Sequence, residues 1–227
     1  MTTLALTLAV LLSAAPQNAP APVGKAPGAP KGHSATPFEG HLRYRAELMG
    51  AGPSRPGARS MGYLTMTLSK AGLRFESRFP NNSNTTLVTG NPPVARGWNP
   101  QAQRYLPVGA RPQASRGPVR SELLGTETVM GLETIHGRVW EGTDMVEFWT
   151  APSLVTQQQM DWLSASSPSM SEGTITELVK MGAWGPVVRT VRNNSIIQLE
   201  KVERTRVDPA AFTDAVPPAA PTGPPGK

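Results

Sequence analysis

The sequence predicts a mainly β protein of the α+β class, an antiparallel sheet with one or two helices set between Pro-rich ends. Three observations predict it. From Phe38 to Leu48 the chain alternates: Phe38, Leu42, Tyr44, Ala46 and Leu48 share one parity, and Glu39, His41, Arg43, Arg45 and Glu47 the other, the pattern of a half-buried strand. Leu64, Met66 and Leu68, then Leu73, Phe75 and Phe79, repeat the pattern on either side of the short turn Ser69-Lys70-Ala71-Gly72, a hairpin signal. Helical spacing is confined to the stretch from Ser153 to Met181.

Residues 1–15, MTTLALTLAVLLSAA, carry an apolar run from Leu4 to Leu12 followed by small residues, as a secretory signal peptide does. The run is shorter than the roughly 20 apolar residues that cross a bilayer, and no later stretch approaches that length, so no integral membrane span is expected. Residues 16–37 hold six prolines and almost no large apolar side chain, and residues 215–227 have the same character. Neither can bury enough surface to offset its ordering entropy, so both read as disordered spacers. Between them, 38–214 reads as a single domain, long enough to bury a core without covalent staples. It has to do so, because the chain has no cysteine and therefore no disulfide. The same absence removes a lipidated N-terminal cysteine as a membrane anchor, and the protein is expected to be periplasmic or secreted.

Further short strands are expected at Thr85–Val88, Val94–Trp98, Arg104–Val108, Glu133–Glu141 and Met145–Thr150, set apart by Gly, Asn and Pro. Pro186–Arg192 and Ser195–Val207 bracket Asn193-Asn194, which tolerate the positive φ of a tight turn. Ile197 and Leu199 share a parity that Val202 breaks, which places a bulge near Glu200 or Lys201. The first helix is expected over Ser153–Ser164, capped by Ser153, with Thr156, Met160 and Leu163 at helical spacing. The second covers Thr174–Met181, with Ile175, Leu178 and Val179 on one stripe and a stop at Gly182.

Three stretches carry a resemblance: FEGHLRYRAEL; GTETVMGLETIHGRVWE, from Gly125 to Glu141; and ELVKMGAWGPVVRTVRNN through RVDPAAFT. Together they resemble a family of exported bacterial proteins of unassigned function, which is itself similar to the lipoprotein-carrier superfamily of LolA and LolB type. The resemblance implies a strongly curved antiparallel sheet forming an open half-barrel, covered by the one or two helices. It also implies a hollow between sheet and helices comparable to the one that accepts acyl chains in the carriers. No carrier residue transfers position by position.

A catalytic apparatus is not in view. His33, His41 and His136 fall at no metal-ligand or triad spacing, and the chain has no H-E-x-x-H, G-x-S-x-G or G-x-x-x-x-G-K motif. No metal or other cofactor is expected. Glu127, Glu133, Glu141 and Glu147 remain as carboxylates that could converge into an acid and base pair, although isolated strand glutamates are more often solvated. The sequons at Asn81, Asn84 and Asn193 read as chance matches.

The net charge of +6 hides an asymmetry: residues 38–120 hold 12 Lys and Arg against 3 Asp and Glu, and residues 121–227 hold 8 against 13. Arg43, Arg45, Arg74 and Arg78 are therefore candidates for docking an anionic surface or an acidic protein. The competing reading pairs them with acidic residues of later strands. Nucleic acid is disfavoured, because export and the absence of Phe, Tyr or Trp at the strand parity of these arginines argue against a stacking platform. Trp140, Trp149, Trp162 and Trp184 cluster in the second half and, with Leu73 and Phe75, are candidates to line an apolar pocket; core packing is the alternative role for the tryptophans. The expected function is thus non-enzymatic: an envelope protein that holds a lipid, an acyl chain or a partner's hydrophobic segment. The alternative is a peripheral adaptor that docks through its arginine-rich strand face.

Overall fold

The computed structural model describes residues 32–49, 58–80, 82–108, 114–166 and 170–214. The expected signal segment, most of the expected linker and the expected C-terminal spacer lie outside the described residues. Nine strands come first: β1 Gly40–Met49, β2 Ala58–Leu68, β3 Leu73–Phe79, β4 Asn82–Thr89, β5 Val94–Asn99, β6 Arg104–Pro107, β7 Val119–Val129, β8 Leu132–Glu141 and β9 Asp144–Thr150. A 3-10 turn at Pro152–Leu154 leads to helices α1 Gln157–Ser166 and α2 Glu172–Lys180. Strands β10 Val187–Arg192 and β11 Ser195–Arg204 follow, and a last 3-10 turn spans Pro209–Phe212.

The strands join one antiparallel sheet in the order β6-β5-β4-β3-β2-β1-β11-β10-β9-β8-β7. β6 and β7 are its edges and do not pair with each other, so the sheet is open, as the resemblance implies. Two meanders are fused at its centre, where β1 pairs with β11. Along this seam Arg43 faces Lys201 and Tyr44 faces Leu199, leaving Glu200 as an extra residue. The bulge thus sits where the parity of Ile197, Leu199 and Val202 puts it. Further register shifts fall between Ala46 and Glu47, Leu123 and Gly125, and Val187 and Arg189. Bulges bend and twist the strand that carries them. Gly62 and Gly137 add to this, because a Cβ at Gly62 would lie 2.3 Å from the Arg78 carbonyl oxygen and 2.6 Å from the Phe79 ring. At Gly137 it would meet the Phe148 ring at 2.8 Å. Each glycine accepts a phenyl ring laid over bare backbone.

Two expectations need correction. Strand β7 has no counterpart among the expected strands; its alternation is broken by the bulge at Leu124, which opposes no residue of β8. Helix α1 starts four residues later than expected, and Thr156 caps it in place of Ser153: the Gln159 N–H donates to Thr156 Oγ1 at 3.3 Å and the Met160 N–H to the Thr156 carbonyl at 3.0 Å. Ser153 instead belongs to the 3-10 turn started by Pro152, and Val155, extended at φ −129° and ψ 161°, separates that turn from the helix. Helix α2 keeps its expected place. Ser171 caps it, accepting from the Thr174 N–H at 3.2 Å, and Gly182, at φ 65°, ends it.

Side chains of alternate parity divide the sheet into an inner face, which carries the helices, and an outer face. The main core joins Leu42, Tyr44, Leu68, Leu73, Val88 and Leu199 of the inner face to Leu154, Val155, Met160, Trp162 and Leu163. A second cluster packs Leu178 of α2 and Ala183 on Ile135, Val139 and Phe148. The chain enters along Gly32 to Phe38, where Ser34 N–H donates to the Val155 carbonyl at 2.9 Å. Buried Gln159 then bonds both backbone groups of Phe38, at 2.9 Å to its N–H and 2.7 Å to its carbonyl. On the outer face the C-terminal turn closes over β3 and β4, burying Phe212 and Leu87.

Candidate functional site: an apolar trough between the helices

Helix α1 packs on β3, β4 and β5, and helix α2 packs on β7 and β8. Between them lies the inner face of the central strands. Cross-strand pairing sets out one row there, Gly62, Ala46, Ile197, Thr190, Phe148, Gly137 and Leu123, across seven strands. Leu64, Tyr44 and Leu199 form a second row beside it. Leu64, Phe79, Ile197 and Leu123 remain half-buried, so the trough floor is apolar and only partly covered by the protein's own residues. Tyr44 is the exception in chemistry: it is 1% exposed, and its hydroxyl has no hydrogen-bond partner. Burial pushes its phenol well above the ordinary value, so the group stays neutral and keeps a proton to donate.

The candidate apolar residues scatter around this trough. Leu73 is fully buried in the main core, and Phe75 is half-buried beside Met66 on the inner face. Trp162 is buried under α1, its indole N–H donating to the Gly90 carbonyl at 2.8 Å, and so closes one end of the trough as packed core. Trp184 is half-buried and lines a cleft of about 170 Å³ with His33, Pro152 and Val179. That volume is below the roughly 300 to 1,000 Å³ of small-molecule pockets. Trp140 and Trp149 stand on the outer face, where the Arg120 guanidinium lies 4.4 Å over the Trp140 ring.

The glutamates divide in the same way. Glu127 and Glu147 do converge, but on a histidine: His136 Nε2 is 2.7 Å from Glu147 and Nδ1 is 3.3 Å from Glu127. Glu141 turns away to accept the Arg116 N–H at 2.5 Å. Trp149 stacks on His136 with centroids 4.1 Å apart and donates to Glu127 through its indole N–H. Burial opposes ionisation of Glu147, but hydrogen bonds from His136 and Arg138 outweigh it and hold its carboxyl below the usual range. Among the described residues no group of three or more His, Cys, Asp or Glu side chains is placed to hold a metal ion.

Of the candidate arginines, Arg43 pairs with Glu203 at 3.0 Å, and Arg45 with Glu47 at 3.0 Å and Glu200 at 3.1 Å. Arg74 pairs with Glu76 at 3.0 Å and donates to the Ala211 carbonyl at 3.4 Å, beneath the C-terminal turn. Arg78 is exposed. The four do not form one free patch.

No family model matches the sequence, and no curated protein matches it either. Solved structures do. A LolA superfamily protein from Nitrosomonas europaea is 10% identical, with a TM-score of 0.34, and the match covers 80% of this chain and 92% of that one. PNGF-II is 9% identical with a TM-score of 0.42, and the match covers 76% of this chain. It takes in only 29% of the PNGF-II chain. At these identities the likeness is one of chain path alone.

Proposed function

We propose that this protein is a non-catalytic envelope protein that holds an apolar ligand, a lipid or acyl chain, along the trough between α1 and α2. One observation carries the reading: Ile197 and Leu64, on neighbouring rows of the inner face, stay half-buried on the central strands that lie between α1, packed on β3 to β5, and α2, packed on β7 and β8. Apolar surface left partly exposed is worth about 25 cal/mol per Å² once an apolar ligand removes it from water. The apolar run from Leu4 to Leu12 supports export, and no helix among the described residues is long and apolar enough to cross a membrane.

The test is native mass spectrometry of the protein purified from its own envelope fraction, joined to titration with a fluorescent long-chain fatty acid. Bound lipid and probe binding are expected. Ile197→Asp, which sets a carboxylate in the floor, should weaken the probe at least tenfold, and Tyr44→Phe, which removes a buried hydroxyl that has no partner, should leave probe binding unchanged without loss of thermal stability. Absence of both lipid and probe binding, or probe binding untouched by Ile197→Asp, refutes the reading.

A further inference from the structure

The outer face carries a second row. Cross-strand pairing aligns Arg78 of β3, Tyr63 of β2, Arg45 of β1, Gln198 of β11, Arg189 of β10, Trp149 of β9 and His136 of β8. Directly paired residues of neighbouring strands present their side chains to the same face, about 4.8 Å apart. The row therefore extends roughly 29 Å across the sheet. Its chemistry mixes guanidiniums and rings, with the Gln198 amide between Arg45 and Arg189. Tyr63, 40% exposed, stands between Arg78 and Arg45. Arg189 lies with its guanidinium carbon 5.1 Å over the Trp149 ring, and its Nε is buried without a partner. Arg78 and Arg189 form no ion pair among the described residues, whereas Arg43, Arg45 and Arg74 each do.

We infer that this strip binds a linear acidic polysaccharide. Its anionic groups meet the two uncompensated guanidiniums of Arg78 and Arg189, and the face of one pyranose lies on the Tyr63 ring. The shape of the charge selects this occupant. Glu76 lies beside the strip on β3, and Glu47 and Glu200 hold Arg45. A broad anionic membrane would press against all of these carboxylates along with the arginines, while a single polymer chain laid along the row from Arg78 to Arg189 meets them only beside Arg45. Single-stranded nucleic acid needs successive free aromatic faces. Here Trp149 is enclosed between His136 and Arg189, so Tyr63 is the one ring of the row left open.

The experiment measures binding of the full chain to alginate, a linear polyuronate, by calorimetry at low salt. Neutral dextran, phosphatidylglycerol vesicles and oligothymidylate run in parallel. Alginate should bind, with an affinity that falls as salt rises. Arg78→Glu and Arg189→Glu should each weaken it tenfold or more, and Tyr63→Ser severalfold with the salt dependence kept. Lys70→Glu makes the same charge change in the β2-β3 turn, off the strip, and should leave binding intact. Arg78 is exposed, so its variant folds and decides the question even if Arg189→Glu fails to fold. The inference is overturned by absent alginate binding, by equal binding of dextran, by tighter binding of vesicles or oligothymidylate, or by Lys70→Glu acting as strongly as Arg78→Glu. Fatty-acid binding in the trough is unaffected by these variants, so failure of one site is distinguishable from failure of the other.

Discussion

Glu147 shows how a strand glutamate becomes a structural charge. Its carboxylate accepts from His136 at 2.7 Å and from Arg138 at 3.3 Å, and these bonds keep its folded pKa below the ordinary value despite burial. A depressed carboxylate contributes stability above its unfolded pKa of about 4.3 and loses it as pH falls through the lower folded value. Glu147→Gln should therefore cost about 1 kcal/mol at pH 7, after discounting for partial exposure. Urea denaturation of both proteins from pH 7 down to pH 3 should show the gap closing below about pH 4. That Glu127 and Glu147, among four carboxylates, could converge is legible from residue type alone. That His136 would stand between them is not, because it depends on the pairing of β7, β8 and β9, which no local spacing encodes. The tryptophans fail for a similar reason: parity separates Trp149 from Phe148, but it does not say which face the helices will cover.

At the scale of elements, the strands that carry strict alternation are the ones the sequence reveals. β1 shows it through Leu42, Tyr44 and Ala46, and the β2-β3 hairpin shows it on either side of Gly72. β7 hides, because its bulge at Leu124 resets the parity halfway. Helix α1 declares itself through Met160 and Leu163 but not its start, since Ser153 and Thr156 are both competent caps and only the extended Val155 decides between them. The buried amide of Gln159 joins this helix to the entering chain by bonding Phe38 and, at 3.3 Å, the Ser69 carbonyl. Gln159→Leu keeps the volume and orphans the Phe38 backbone groups, at a cost of about 2 to 4 kcal/mol. Equilibrium unfolding measures that loss. Hydrogen exchange should show faster opening of the Phe38 amide, with the α2 amides unchanged.

For the whole molecule, an antiparallel β-rich domain is foreseeable from alternation and the open sheet is what the resemblance implies, but the strand order is legible in neither. Two meanders could pack face to face as a sandwich. Here they fuse edge to edge because β1 takes β2 on one side and β11 on the other. The inner and outer faces so formed are continuous across the seam, and both cross-strand rows depend on that continuity. A chain ending at Arg192 lacks β11, strips Leu42, Tyr44 and Ala46 of their neighbours and leaves β1 with a bare edge. We expect it to lose cooperative unfolding entirely, with a broad thermal transition in circular dichroism where the full chain gives one sharp step.

Pairing β1 with β11 also sets a timetable. A ribosome delivers β1 long before β11, so the central strand waits half-paired through the synthesis of every strand between them. The domain cannot close its seam piecemeal, and newly made chains should remain open to proteases and accessible to chaperones until the last strand has emerged.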